Sequence, residues 1–216
     1  IRFNNYVNYN GEEIVNSIEG NIFSGNEAIN GGAIYAEIPS NSCYLEIESN
    51  SFLLNVSSGN EKNRLTGTGG AISLANTVYS DIQSNVFEQN ISYSSGGAIS
   101  VSNVENLHIL NNLFFRNKTN SDSGNGVAIY INGEEEVFGS FDLTFNEFFF
   151  NESKNNGGAL FVSSNGQLSG PAFFCGVNIN DFFFNNSGNN GAAIYTGKGK
   201  IKLIQNRIGY NRARNG

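Results

Sequence analysis

Two short patterns alternate in strict order along this chain, and that alternation restricts it to folds in which one unit is laid down again and again. The first pattern has a hydrophobe at its start, Asn at +3, an aromatic ring at +5 and Asn at +8. It occurs at Ile18/Asn21/Phe23/Asn26, Ile47/Asn50/Phe52/Asn55, Ile82/Asn85/Phe87/Asn90, Ile109/Asn112/Phe114/Asn117, Leu143/Asn146/Phe148/Asn151 and Val177/Asn180/Phe182/Asn185. A last copy, Leu203/Asn206/Ile208/Asn211, replaces the ring. The second pattern, Gly-(Gly/Val/Ala)-Ala-(Ile/Leu), sets its alanine at Ala33, Ala71, Ala98, Ala128, Ala159 and Ala193, one between each successive pair of the first. Biased composition would not keep such an order, whereas tandem duplication does.

The alanines are 38, 27, 30, 31 and 34 residues apart, so the basic unit is 27 residues and the longer intervals carry insertions. These fall at 55–68, 132–140 and 163–170, where surface loops lengthen at little entropic cost. Within a unit the hydrophobic period is two. Ile99-Ser100-Val101 and Leu107-His108-Ile109 each put their first and third residues on one face, which predicts short strands. No window carries a helical stripe.

Two or three short strands per unit, with Asn and Gly at the corners, predict one turn of a parallel β-helix whose neighbouring turns stack at about 4.8 Å. The expected fold is all-β: a single-stranded parallel β-helix of about six to seven coils. Residues 1–216 form one such domain, read as part of a longer repeat array. Residues 1–17 retain Asn5, Val7 and Asn10 at +3, +5 and +8 and read as a degenerate first unit.

Stacking turns these motifs into columns. Asn21, Asn50, Asn85, Asn112, Asn146 and Asn180 form one expected file, and Asn26, Asn55, Asn90, Asn117, Asn151 and Asn185 another. Both sit at bends, where a buried amide can satisfy corner backbone and its own copy one turn away. Phe23, Phe52, Phe87, Phe114, Phe148 and Phe182 point inward and stack. The small residues of the second pattern allow a tight bend.

Charge is sparse at 14 % of residues, and 38 asparagines supply much of the polar surface. Six of the twelve basic residues lie from Lys198 onward with no acid among them, so residues 1–197 set six basic against nineteen acidic groups, −13. A mainly acidic body argues against nucleic-acid binding. No apolar run is long enough for a transmembrane helix.

The sites are weighed against plain structural uses. His108, the single histidine, lies between two inward residues and is expected to face solvent, in a column with Glu46, Asp81, Asp142, Gly176 and Lys202. Glu46 with Glu48, Glu134 to Glu136, and Asp122 are carboxylates that could ligate a cation, but they fall on insertions or lack stacked partners. The sequence therefore predicts no catalytic residue, no metal and no cofactor. Cys175 takes the column position of Leu45 and Leu107, while Cys43 lies two residues before Leu45 and about four turns away. Two free thiols are expected, since a disulfide spans no more than about 7 Å between Cα atoms.

Asn55, Asn90, Asn117, Asn151 and Asn185 each open an N-x-S/T sequon. Asn55 and Asn117 are candidate glycosylation sites, against the reading that a residue pinned in a corner makes a poor acceptor. One outward column, Tyr35, Ser73, Ser100, Tyr130, Phe161 and Tyr195, holds four rings that could stack on sugars or pack on a protein. Its plain alternative is that aromatic residues favour strands.

The alternation of Gly-Gly-Ala-Ile (residues 31–34, 69–72, 96–99, and 157–160 with Leu) and Phe-x-x-Asn (Phe23–Asn26 to Phe182–Asn185) resembles the repeat of the chlamydial polymorphic outer membrane proteins. Residues 126–129 and 191–194 depart at the second glycine. The resemblance implies a right-handed β-helix of the pectate-lyase-like type, extracellular or displayed on a cell surface as an adhesin or structural scaffold. Protein or glycan would bind its lateral face, and adjoining repeats or subunits its ends. The competing readings are a polysaccharide-binding or polysaccharide-degrading β-helix enzyme and a structural spacer in a large assembly.

Overall fold

Each lap of the chain lays down four short strands in the same cyclic order, and each strand pairs only with its counterparts one lap before and after. The computed structural model describes residues 2–3, 14–37, 43–60, 67–77, 79–133, 140–164, 174–197 and 201–215. Four parallel sheets of seven strands result, forming a right-handed β-solenoid, the hand that parallel crossovers take. Seven laps agree with the six to seven coils expected.

The first sheet holds the strands after Gly-Gly-Ala, such as Ile99–Ser102 and Ile129–Gly133. The second holds the lead-in to the aromatic motif, such as Tyr79–Gln83 and Asn106–Leu110. The third carries the rings, as in Val86–Glu88 and Leu113–Phe115. The fourth consists mainly of residue pairs such as Ile91–Ser92 and Lys118–Thr119. The sequence reading of two or three strands per unit is short by at least one, because the two-residue strands of the fourth sheet are too few to show an alternation.

Register follows the motif frame. Ile82 lies opposite Ile47 and Ile109, and Phe87 opposite Phe52 and Phe114. The six rings from Phe23 to Phe182 stack at 4.6 to 4.9 Å with planes within 6° of parallel. Five of them, together with Ile34, Ile72, Ile99 and Ile129 of the first sheet, are wholly buried in one continuous core. A one-residue slip would turn every one of these side chains to the outside.

The corners are one residue wide. The residue before each ladder asparagine has a positive φ: Ser84 and Asn111 before Asn85 and Asn112, Gln89 and Arg116 before Asn90 and Asn117. A single left-handed residue bends the chain from one sheet into the next, and the asparagine after it fills the hydrogen bonds the bend would otherwise leave open. At the Gly-Gly-Ala turn, Gly69 has φ +66° and a Cβ there would stand 2.0 Å from the Ile72 carbonyl oxygen. A Cβ on Gly70 would stand 2.0 Å from the carbonyl oxygen of Gly97, one coil on. Val127 and Ala192 nonetheless occupy this second position, both buried, so its demand is weaker than that of the first.

Residues 61–66, 134–139 and 165–173, which take in part of the first insertion and most of the other two, lie outside the described residues.

Candidate functional site

Both asparagine files form continuous ladders. In each, the backbone N–H and Nδ2–H of one residue donate to Oδ1 of its counterpart one coil on, as Asn85 does to Asn112 at 2.9 and 3.0 Å and Asn90 to Asn117 at 3.0 and 3.0 Å. The second Nδ2 proton goes to a carbonyl of the preceding coil, Ile47 for Asn85 and Phe52 for Asn90. The ladders run on through Asn206 and Asn211, which accept from Asn180 and Asn185.

The sequons are built from the same parts. Asn55 and Asn117 are fully buried, and their Nδ2 groups donate to Phe23 and Asn90 and to Phe87 and Asn151 respectively. The sequon hydroxyls form a buried column of their own on the fourth sheet: Ser57, Ser92, Thr119, Ser153 and Ser187. The serine or threonine of N-x-S/T is thus an inward-facing position of a two-residue strand.

A third ladder went unseen in the sequence. Asn190 donates from its backbone and Nδ2 to Asn156 Oδ1, and Asn156 in the same way to Asn125 Oδ1. Here the later coil donates to the earlier, opposite to the corner ladders. The signal was the polar residue preceding each glycine turn: Asn30, Thr68, Ser95, Asn125, Asn156 and Asn190.

The four candidate binding rings do not form one strip. Tyr35 is parted from the rest by Ser73 and Ser100, while Tyr130, Phe161 and Tyr195 stack at 5.1 Å centroid spacing. Phe161 is only 8 % exposed, not open to solvent as the alternation suggests. A Cβ on Gly126 or Gly157 would stand 2.7 or 3.0 Å from the Phe161 Cβ, so these glycine turns lie close over the ring's strand. Tyr130 and Tyr195 are half-buried, and Tyr35 donates its hydroxyl to Glu37.

The outward column of the second sheet holds more chemistry than its mixed residue types suggest. Glu46, Asp81, His108 and Asp142 lie on consecutive rungs. His108 faces outward but is only 31 % exposed: its Nδ1 lies 3.0 Å from Asp81 Oδ1 and 2.9 Å from the Tyr79 hydroxyl. The Tyr44 ring stacks on Tyr79 at 4.2 Å and its hydroxyl donates to Asp81 Oδ2 at 2.5 Å. Burial, then the Asp81 and Tyr79 contacts, push the Tyr44 phenol well above its usual range. Asp142 accepts from Thr144 at 2.5 Å. Asp81 is therefore hydrogen-bonded through Oδ2 to Tyr44, while its buried Oδ1 has His108 Nδ1 3.0 Å away but no hydrogen bond.

Other candidates are dispersed. Asp122 faces Lys154 at 3.6 Å across open surface, and Glu134 to Glu136 lie outside the described residues. Among the described residues no three acidic, histidine or cysteine side chains converge as a metal site. Nor, among them, is any helix long and apolar enough to cross a membrane. The backbone of Cys175 lies opposite Phe141 and that of Cys43 four rungs away in the same sheet, about 19 Å at the strand spacing, while both side chains lie outside the description.

The chain also carries rings that no strand alternation calls for. Phe115, Phe149, Phe150, Phe183, Phe184 and Tyr210 line the outside of the third sheet and its corner, at +6 and +7 of the motif. The tripled Phe148–Phe150 and Phe182–Phe184 were the signal, since only the first of each three can point inward.

The Chlamydia polymorphic membrane protein repeat matches residues 22–37 and 86–102. Each window joins one Phe-x-x-Asn corner to the following Gly-Gly-Ala-Ile turn. The chain is a β-solenoid similar to that repeat over these two segments. No curated protein and no solved structure matches it.

Proposed function

We propose that this chain is a non-enzymatic scaffold of an extracellular or cell-surface protein, with an adhesive or structural role and a lateral face that takes protein or glycan. One observation carries the reading. The recurring polar groups at the corners and turns are spent on the neighbouring coil rather than offered to solvent, so what is repeated in this sequence is the spine. The surface location is supported by the similarity to the Chlamydia polymorphic membrane protein repeat. The half-buried rings of Tyr130 and Tyr195, on a flat sheet face, are the proposed contact for a sugar or an apolar side chain. Asn55 and Asn117 are proposed to stay unmodified in the folded protein, because each would have to surrender a ladder donor to carry a glycan.

The test is binding of the purified chain to immobilised glycans and extracellular-matrix proteins, set beside Tyr130→Ala and Tyr195→Ala. Saturable binding weakened by both substitutions supports the reading. Absence of binding to every surface, or binding indifferent to both, overturns the lateral-face assignment.

A second reading, polysaccharide degradation, is favoured by the column Glu46, Asp81, His108 and Asp142 with two tyrosines beside it. Release of reducing ends from polyuronate that disappears in His108→Ala would establish it. No release would leave the column as packing.

A further inference from the structure

Where the second sheet bends into the third, one left-handed corner residue recurs in every coil, with φ between 52° and 67°. Gly20, Ser49, Ser84 and Asn111 hold it in the first four coils, Phe145 and Ile179 in the fifth and sixth. Such backbone penalises a bulky side chain, and a β-branched one most. Phe145 and Ile179 are nonetheless 57 and 42 % exposed, so burial does not repay the choice. The serine or asparagine of the earlier coils would serve folding and solubility better.

Two residues past this corner, Glu147, Asp181 and Arg207 stand on consecutive rungs of the third sheet. Between the two files lies a cleft of about 360 Å³, with Phe145 and Ile179 along one side, Asn111 at one end and Gln205 at the other. Its volume falls within the range of small-molecule sites. Some of its polar groups are already committed: Asn146 gives its amide to the ladder, and Asp181 accepts from the guanidinium of Arg207, which holds both in place. Others are not. Among the described residues the exposed side chains of Glu147 and Gln205 make no hydrogen bond or ion pair, and that of Asn111 makes one long bond, to Ser84 at 3.4 Å.

We propose that this cleft is a carbohydrate subsite that takes one ring of a neutral hexose oligosaccharide. A pyranose ring has an apolar face of C–H groups and a rim of hydroxyls that both donate and accept. The Phe145 ring and the Ile179 side chain offer an apolar surface to the first. The rim meets a carboxylate that only accepts, a guanidinium that only donates, and two amides that do both. Adjacent hydroxyls thus find partners of either kind within one small space.

The charges exclude the neighbours of that ligand class. An amino sugar or a lysine side chain would meet Arg207, and a uronate or sulfated sugar would meet Glu147 and Asp181. A neutral polyol is opposed by neither sign. The cleft also stands apart from Tyr130 and Tyr195, which lie on the first sheet, so either contact can fail while the other holds.

Titration of the isotope-labelled chain with cellotetraose, maltotetraose and N-acetylated chitotetraose, followed by NMR, tests this. At least one of the three is expected to shift the Gln205 side-chain amide and the backbone amides of Phe145 and Glu147 saturably, with a dissociation constant of about a millimolar, as suits one sugar ring in a shallow site. Phe145→Ser, which restores the residue of the second and third coils, is expected to melt at or above the parent temperature and to weaken that binding roughly tenfold. Tyr130→Ala and Tyr195→Ala should leave it in place. If Phe145→Ser loses its strand signal, Ile179→Asn takes its place and must weaken binding. No saturable shift with any of the three sugars, a shift that the corner variant leaves as it was, or tighter binding of tetralysine or tetragalacturonate would each overturn the proposal.

Discussion

Asn85 gives both its backbone N–H and its Nδ2–H to the single Oδ1 of Asn112, 2.9 and 3.0 Å away in the next coil. Asn112 repeats the gesture toward Asn146 at 2.9 and 3.0 Å. Every rung inside the ladder thus satisfies two neighbours at once. Replacing Asn112 or Asn117 by Ala strands two buried donors of the preceding rung and takes a donor from the carbonyl of Ile82 or Phe87, and is expected to cost about 3 to 5 kcal/mol in urea unfolding. Asn211→Ala, at the partly exposed end, should cost about 1 kcal/mol, and His108→Ala a similar amount. Equal small losses at Asn117 and His108 would contradict the inward ladder.

The sequon hydroxyls behave differently from the asparagines beside them. Ser57 Oγ and Ser92 Oγ are buried without a hydrogen-bond partner. Ser92→Ala removes an unsatisfied polar group and is expected to be neutral or to stabilise by up to about 1 kcal/mol. Asn90→Gln, which abolishes the same sequon, should be strongly destabilising. Thermal melts of the two variants, with the parent, decide whether the sequon is architecture.

Tyr44 should be visible in alkaline titration. Its folded pKa is raised above the unfolded value of about 10, first by burial and then by the Asp81 contact. A raised pKa means that its contribution to stability is complete below about pH 10 and is lost as pH rises toward the folded value. The phenolate absorbance of the nine tyrosines is expected to show a late step. That step should coincide with unfolding and be absent in Tyr44→Phe.

Ile179 holds φ 52° with a β-branched side chain that is 42 % exposed. Ile179→Gly or Ile179→Asn should raise stability by about 0.5 to 1 kcal/mol by relieving the left-handed strain. Gly69→Ala should do the reverse, since its Cβ meets the Ile72 carbonyl oxygen in addition to the φ penalty. Loss of stability in Ile179→Gly would show that the isoleucine is held by a contact of its own.

Much of the architecture could be read directly because the motif frame is rigid: a ring at +5 and amides at +3 and +8 have one arrangement that buries all three on every lap. The two-residue fourth strand, the counter-running ladder through Asn125, Asn156 and Asn190, and the roof over Phe161 were not legible. Each depends on which residues of adjacent coils meet at a turn, and turn spacing varies with the insertions. The outward rings at Phe150 and Phe184 were printed in the chain as runs of three phenylalanines, yet strand alternation accounts for only one ring in each.

By itself the sequence determined the repeat, its period, the parallel stacking of one unit on the next and the identity of the buried columns. These follow from local alternation and from the need to satisfy every corner amide. Only the tertiary structure decided which outward side chains are covered and which remain bare. It drew Asp81, His108, Tyr44 and Tyr79 from three coils into one cluster, shut Phe161 beneath glycine turns and left Phe150 and Phe184 half exposed. Exposure at a solenoid surface is set by the path of neighbouring turns, a property of the stacked coils and not of any one repeat.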